Sequence, residues 1–250
     1  MTNCLIGYPD IPKSTSLGEP SMATGYDAHS VVTGSRGDHV KLVANGTTAT
    51  YEWDYGANTT PAYLYVARAD LVRKADSAAT TWTVTGSASS SFTSPDTKTG
   101  TFNTSDLKNP RSEDLITTFT YSSAYRYWRA RLTTTASIKH EFSKIYLGSW
   151  FDFGREPVAN VEQTRRAASK WARATAFAIR LQWRGISDSL VNSLNTKIVQ
   201  YRDTNPVILY DAGDIILGGY RVIHARISDV DVQLDTYDSN SVSIEFEELI

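Results

Sequence analysis

The chain has 250 residues, 41% of them apolar and 21% charged, and a formal net charge of −2 from 25 Lys and Arg against 27 Asp and Glu. This is the composition of an ordinary globular protein of one or two domains, and it supplies no global attraction for a phosphate backbone, so no specific nucleic-acid partner is expected. One cysteine, Cys4, excludes an internal disulfide and a cysteine-based zinc site, and the lack of a basic leader or of 18 successive apolar residues argues against a signal peptide and a membrane span.

Residues 1–39 are poor in apolar side chains and are interrupted by Pro9, Pro12, Gly18, Pro20, Gly25, Gly34 and Gly37, which predicts an extended N-terminal arm. Thr and Ser then mark a boundary: 42 of the 55 fall in the first 150 positions, as expected for short strands and polar turns before a change of texture. In Tyr51, Trp53 and Tyr55 the rings alternate with Glu52 and Asp54, the period of a strand. Similar runs span residues 62–68, 80–85, 116–121, 125–132 and 142–150, so at least six strands precede Gly154 and a sandwich is expected over residues 40–155. Residues 156–250 are expected to form a smaller α+β sheet domain. Phe177, Ile179, Leu181 and Trp183 alternate with Arg180, Gln182 and Arg184. A helix is then predicted at about 187–203, with Ser187 as N-cap, an acidic first turn at Asp188, and a stripe of Leu190, Val191, Leu194, Ile198 and Tyr201 packed on a sheet. Strands are predicted at 207–210, 220–227, 230–234 and 242–246, the last two forming a hairpin across residues 237–240.

The sequence carries no nucleophile elbow, phosphate loop, H-E-x-x-H helix or dinucleotide fingerprint, so neither an enzyme nor a cofactor is expected. Asp229 and Asp231 form a D-x-D pair able in principle to hold a divalent cation. Val230, Val232 and Leu234 interleave with acids in that stretch, however, and the pair reads better as the solvent face of an amphipathic strand. The aromatics Trp53, Tyr55, Trp82, Tyr125, Tyr127, Trp128, Trp150 and Phe151 could stack on sugars, although most are needed as core. The sharper pattern is charge. Residues 163–184 hold six basic side chains, including Arg165, Arg166, Arg173, Arg180 and Arg184, and no acid; after Arg226 come seven acids, including Asp229, Asp231, Asp235, Glu245 and Glu247, and no Lys or Arg. Two arrangements satisfy it: an intrachain salt-bridged sheet, or a head-to-tail subunit contact that builds a homo-oligomeric ring. On the second, these ten residues are the interface candidates.

Several stretches resemble proteins of tailed-bacteriophage tail tips. The run from Pro61 to Leu71, then Tyr125-Arg126-Tyr127-Trp128-Arg129 and Lys144-Ile145-Tyr146-Leu147-Gly148, resembles their discoidin-like part. Trp183 to Ser187 before the helix, Asn205 to Leu209 after it, and the ending from Ser241 to Leu249 are similar to virion proteins near the distal tail. The resemblance implies a mainly β chain in which a discoidin-like β-sandwich (jelly roll) is followed by a smaller α+β sheet domain with one amphipathic helix. It also implies a non-enzymatic component of a tail tip or baseplate, assembled in the bacterial cytoplasm into a ring that joins tail tube, hub and fibres. The alternative is a carbohydrate-binding module for cell-surface glycans, since sandwiches of this kind present loops at one end.

Overall fold

The computed structural model describes residues 4–9, 40–41, 48–67, 80–102, 107–109, 114–134, 141–142, 144–158, 162–167, 175–201, 207–211 and 222–249. It divides into two compact units, Asp10–Ser149 and a second unit that joins Met1–Pro9 to Trp150–Ile250. The strands in chain order are β1 (Cys4–Pro9), β2 (Val40–Lys41), β3 (Ala49–Thr59), β4 (Tyr63–Ala67), β5 (Thr80–Ser87), β6 (Asp96–Phe102), β7 (Leu107–Asn109), β8 (Asp114–Thr118), β9 (Tyr125–Thr134), β10 (Glu141–Phe142) and β11 (Lys144–Phe151). They continue as β12 (Glu162–Ala167), β13 (Thr175–Ile186), helix α1 (Asp188–Lys197), a 3-10 turn (Val199–Tyr201), β14 (Val207–Asp211), β15 (Val222–Thr236) and β16 (Ser239–Glu248).

The first unit is a β-sandwich. One antiparallel sheet runs β3-β9-β5-β6 and the other β11-β4-β8-β7, and a single core draws Tyr51, Trp53, Tyr55, Trp82, Val84, Trp128 and Leu132 from the first and Leu64, Val66, Leu115, Ile145 and Leu147 from the second. Ring contacts lock the core: Tyr121 meets Trp128 edge-on at 4.8 Å, and the Tyr121 hydroxyl donates to the Val84 carbonyl at 2.5 Å. Glycines make room for these rings. A Cβ on Gly86 would lie 2.4 Å from the Tyr125 ring and 2.9 Å from that of Trp128, and one on Gly100 would lie 2.5 Å from the Trp82 indole. The outer face explains the threonines. Thr83 pairs with Thr99, Thr85 with Thr97 and Thr48 with Thr133 through their hydroxyls, as β-branched polar residues do on a pleated, half-solvated surface.

The second unit is a sheet in the order β12-β13-β16-β15-β14-β1, antiparallel throughout, with α1 packed on it through Leu194 and Ile198. Its core holds Ile179, Leu181, Trp183, Leu209, Ile223, Val242, Ile244 and Phe246, with Phe153 stacked on Trp183 at 4.4 Å. The helix starts where Ser187 accepts from the Leu190 N–H at 3.4 Å. Asp238 in the β15–β16 turn accepts from the Asp188 N–H at 3.0 Å, and buried Asn240 donates to the Ile186 carbonyl at 3.1 Å and to the Asp188 carboxylate at 2.7 Å. These bonds tie the helix entry to the hairpin turn. At Gly185, φ is +67°, the ladder shifts between Trp183 and Ile186, and Arg155 fills the space a Cβ would take, donating to the Arg184 carbonyl at 2.8 Å.

Three sequence expectations change. Residues 4–9 are not part of an arm: they form β1, whose Cys4 and Ile6 enter the core and whose partner is β14, with Cys4 opposite Asp211 and Gly7 opposite Ile208. The remainder of that segment lies outside the described residues, apart from the β2 strand that follows it. Predicted strands 220–227 and 230–234 fuse into β15, and the hairpin turn tightens to Tyr237 and Asp238. Beyond Ile227 the burial of the apolar side of β15 fades: Val230 still packs partly against the core, and the side chains after it do not. Val232 is 38% exposed and Leu234 71%. The helix, by contrast, places Leu194 at 0% exposure in the core. Leu194→Asp strands an unpaired charge there and is expected to destabilise the fold by about 3–5 kcal/mol in chemical denaturation; a midpoint equal to wild type contradicts the packing of α1.

Candidate binding surfaces

Four of the ten charged interface candidates, Arg180, Asp229, Glu245 and Glu247, lie side by side in one ladder. Strands β13, β16 and β15 are immediate neighbours, and the register sets Arg180 opposite Glu245, Glu245 opposite Asp229, and Arg226 opposite Glu247. Arg180 closes an ion pair with Asp229 across the intervening strand, and Arg226 donates to the Glu247 carboxylate at 2.7 and 3.0 Å. Two pairs of opposite charges are therefore joined within one chain. Each such pair is solvent-exposed and contributes about 0–1 kcal/mol, but it removes these groups from the role of unsatisfied docking charges. This corrects the expectation that the Arg180 face and the Asp229 face meet between subunits; the physical reason is sheet order, which places the basic and acidic strands side by side.

The other candidates stand differently. Asp231 accepts from Gln233 at 2.9 Å and Asp235 from Ser241 at 2.6 Å, both on the exposed outer length of β15. Arg184 is exposed at the β13 bulge. Arg165 and Arg166 lie on β12, in register with Phe177 and Ala176, and Arg173 falls outside the described residues. As a metal site the D-x-D pair is already engaged, Asp229 by Arg180 and Asp231 by Gln233, and no group of three or more His, Cys, Asp or Glu converges among the described residues.

The aromatics proposed for sugar stacking are mostly core. Tyr55, Trp82 and Trp53 are buried, and Trp128 is fully so. Half-exposed rings remain at Tyr125, Tyr127 and Trp150, the last stacked on Tyr210 at 5.5 Å. Beside Tyr127, Arg126 holds both oxygens of Asp54 at 2.7 Å and lies 5.1 Å from the Tyr127 ring centre. Asp54 also accepts from the Gly56 N–H at 2.7 Å. The Arg126 hydrogen bond holds the Asp54 carboxyl below the usual aspartate range. The pair therefore survives acidification that protonates an ordinary aspartate and is lost only as the pH falls through that lowered value. A second cluster joins Arg129 to Glu52 at 2.5 Å, with the guanidinium 3.9 Å from the Phe92 ring, on a turn where Phe92 and Ser94 have φ of 53° and 52°.

Two features escaped the sequence reading. On the other face of the β11-β4-β8 sheet, Tyr65 stacks on Tyr146 at 6.1 Å and donates to buried Asp114 at 2.8 Å, in a layer that also buries Lys144. The signal was the unbroken run Tyr63-Leu64-Tyr65-Val66-Ala67, which marks a strand covered on both faces. The second is the hairpin end, where Tyr237 is 100% exposed beside Leu234.

Neither a family model nor a curated protein sequence matches the chain. Among solved structures it is similar to a fucolectin from striped bass (Morone saxatilis) serum, at 11% identity and a TM-score of 0.43 over 98% of this chain and 99% of that one. It is also similar to a fucose-binding module of Streptococcus pneumoniae, at 15% identity and a TM-score of 0.40 over 57% of this chain and 95% of that one. A lectin domain of lectinolysin complexed with Lewis b gives 15% identity and a TM-score of 0.41 over 56% of this chain and 95% of that one. At these TM-scores the likenesses assign the chain neither a ligand nor an activity.

Proposed function

We propose that the chain is a non-enzymatic assembly protein, placed by its sequence resemblance in the tail tip or baseplate of a tailed bacteriophage, where it contacts neighbouring virion proteins through the outer end of the β15–β16 hairpin. The observation that supports this reading is the exposure of Val232, Leu234 and Tyr237 at that end. They are the exposed large apolar side chains among the described residues, and they lie close together in sequence on one hairpin. Apolar side chains gathered on a projecting, acid-bearing element suit a contact surface better than a solvated one. The double variant Leu234→Asp, Tyr237→Ser alters no core contact, so its stability is expected within about 0.5 kcal/mol of wild type. Mass spectrometry of purified particles is expected to find it depleted at least about tenfold, equivalent to 1.4 kcal/mol of lost contact. Incorporation at the wild-type level contradicts the reading.

A second reading, glycan binding, draws on the Asp54–Arg126 pair beside the half-exposed Tyr127, a charged and aromatic set able to bond vicinal hydroxyls and cover a sugar face. Fucose and Lewis b are the ligands named for the lectin modules above. On a glycan array, this reading expects binding by wild type that weakens at least about tenfold in Arg126→Ala, a loss of roughly 1.4 kcal/mol. No retained glycan, or equal retention by the variant, contradicts it.

A further inference from the structure

We infer that the open edge of β15 receives strand β12 of a second copy of the chain, continuing the sheet from one subunit into the next. This deepens the assembly reading above and rests on it. In an antiparallel ladder, main-chain N–H and C=O groups point alternately to the two neighbouring strands. Strand β15 has β16 on one side over its whole outer length, but on the other side β14 ends opposite Ala225. From Arg226 to Thr236 the outward main-chain groups therefore have no strand beside them among the described residues. Such an edge is a template for another strand unless it is blunted, usually by Lys, Pro or a covering segment. Beyond Arg226 this one has no Lys, no Arg and no Pro.

Its charge selects the partner. Asp229, Asp231 and Asp235 lie along the edge, so two β15 edges laid against each other would bring like charges together and are disfavoured. A basic strand is favoured, and the opposite end of the same sheet supplies one. Strand β12 is bonded to β13 alone among the described residues, and its sequence contains Arg165 and Arg166. The second unit thus carries an acidic edge along the outer length of β15 and, at the β12 end of its sheet, a strand whose sequence holds two arginines against one glutamate. Addition of one to the other is a heterologous contact, which closes a ring when the rotation permits and otherwise propagates. Main-chain bonds and the apolar side chains of β15 would supply affinity, and the charges register and orientation. Asp229 is ion-paired to Arg180, whereas Asp231 and Asp235 are bonded to the neutral Gln233 and Ser241 and keep a charge for the incoming strand to meet.

The test uses two reversed full-length proteins, Asp231→Lys with Asp235→Lys and Arg165→Glu with Arg166→Glu, measured by sedimentation and mass photometry at micromolar concentration. Wild type is expected to associate, more weakly as salt rises. Each reversed protein alone is expected to associate at least about tenfold more weakly, and an equimolar mixture to regain association as alternating copies, because each acidic edge then finds a basic one on the other variant. If Arg165→Glu with Arg166→Glu lowers the melting temperature, Arg165→Gln with Arg166→Gln is read in its place, with the same expected loss. The inference is overturned by a wild type that stays monomeric, by β12 variants that associate as wild type does, or by a mixture that associates no better than the variants alone. None of these outcomes touches the particle-incorporation result, on which the assembly reading separately stands or falls.

Discussion

The antiparallel ladder of β13, β16 and β15 is the constraint on which the second unit depends. Its register puts Trp183 opposite Val242 and Val242 opposite Val232, and Leu181 opposite Ile244 and Ile244 opposite Val230. The apolar rows of β13 and β16 form the floor on which Leu194 and Ile198 rest. The same register fixes the charges: Arg180, Glu245 and Asp229 occupy one row across three strands, so the ion pair follows from strand order. The ladder also outruns its neighbour, since β15 has 15 residues and β14 only 5. Among the described residues, that mismatch leaves the outer half of β15 with one bonded edge.

The sandwich is governed by a different constraint, the volume of its rings. Trp53, Trp82, Trp128, Tyr51 and Tyr121 share one core, and the sheets accommodate them by placing glycine where a ring crosses a strand, Gly86 beneath Trp128 and Tyr125, Gly100 beneath Trp82. Any methyl at either position must displace an aromatic ring in a close-packed interior. Polar residues are left to the outer sheet face and the loops, where the Asp54–Arg126 and Glu52–Arg129 pairs sit over aromatic partners.

The sequence was most legible where structure is local. Tyr51, Trp53 and Tyr55 revealed their strand through alternation, and Ser187, Asp188 and the Leu190–Leu194–Ile198 stripe revealed the helix, because cap, first-turn charge and apolar period all act within a few residues. What it could not show is which strands become neighbours. Cys4 pairs opposite Asp211 from the far end of the chain, so β1 looked like a surface arm. The basic and acidic tracts were visible as opposites, but their pairing within one sheet depends on β16 lying between β13 and β15. Alternation also names a face without saying whether anything covers it: Tyr55 and Trp82 became core, while Val232 and Leu234, with the same alternating pattern, remained in solvent.

The central claim is that the outer β15 edge is open in the isolated chain and becomes bonded on assembly. Hydrogen–deuterium exchange over residues 226–236, followed in dilute protein and in the assembled state, tests it most directly. Alternate amides of this stretch are expected to exchange rapidly when dilute, while those of Val222–Ala225 that bond to β14 stay protected. On assembly the rapid set is expected to slow and the protected set to remain unchanged. Rapid exchange that persists in the assembled state, or protection already complete in the dilute chain, would contradict the account.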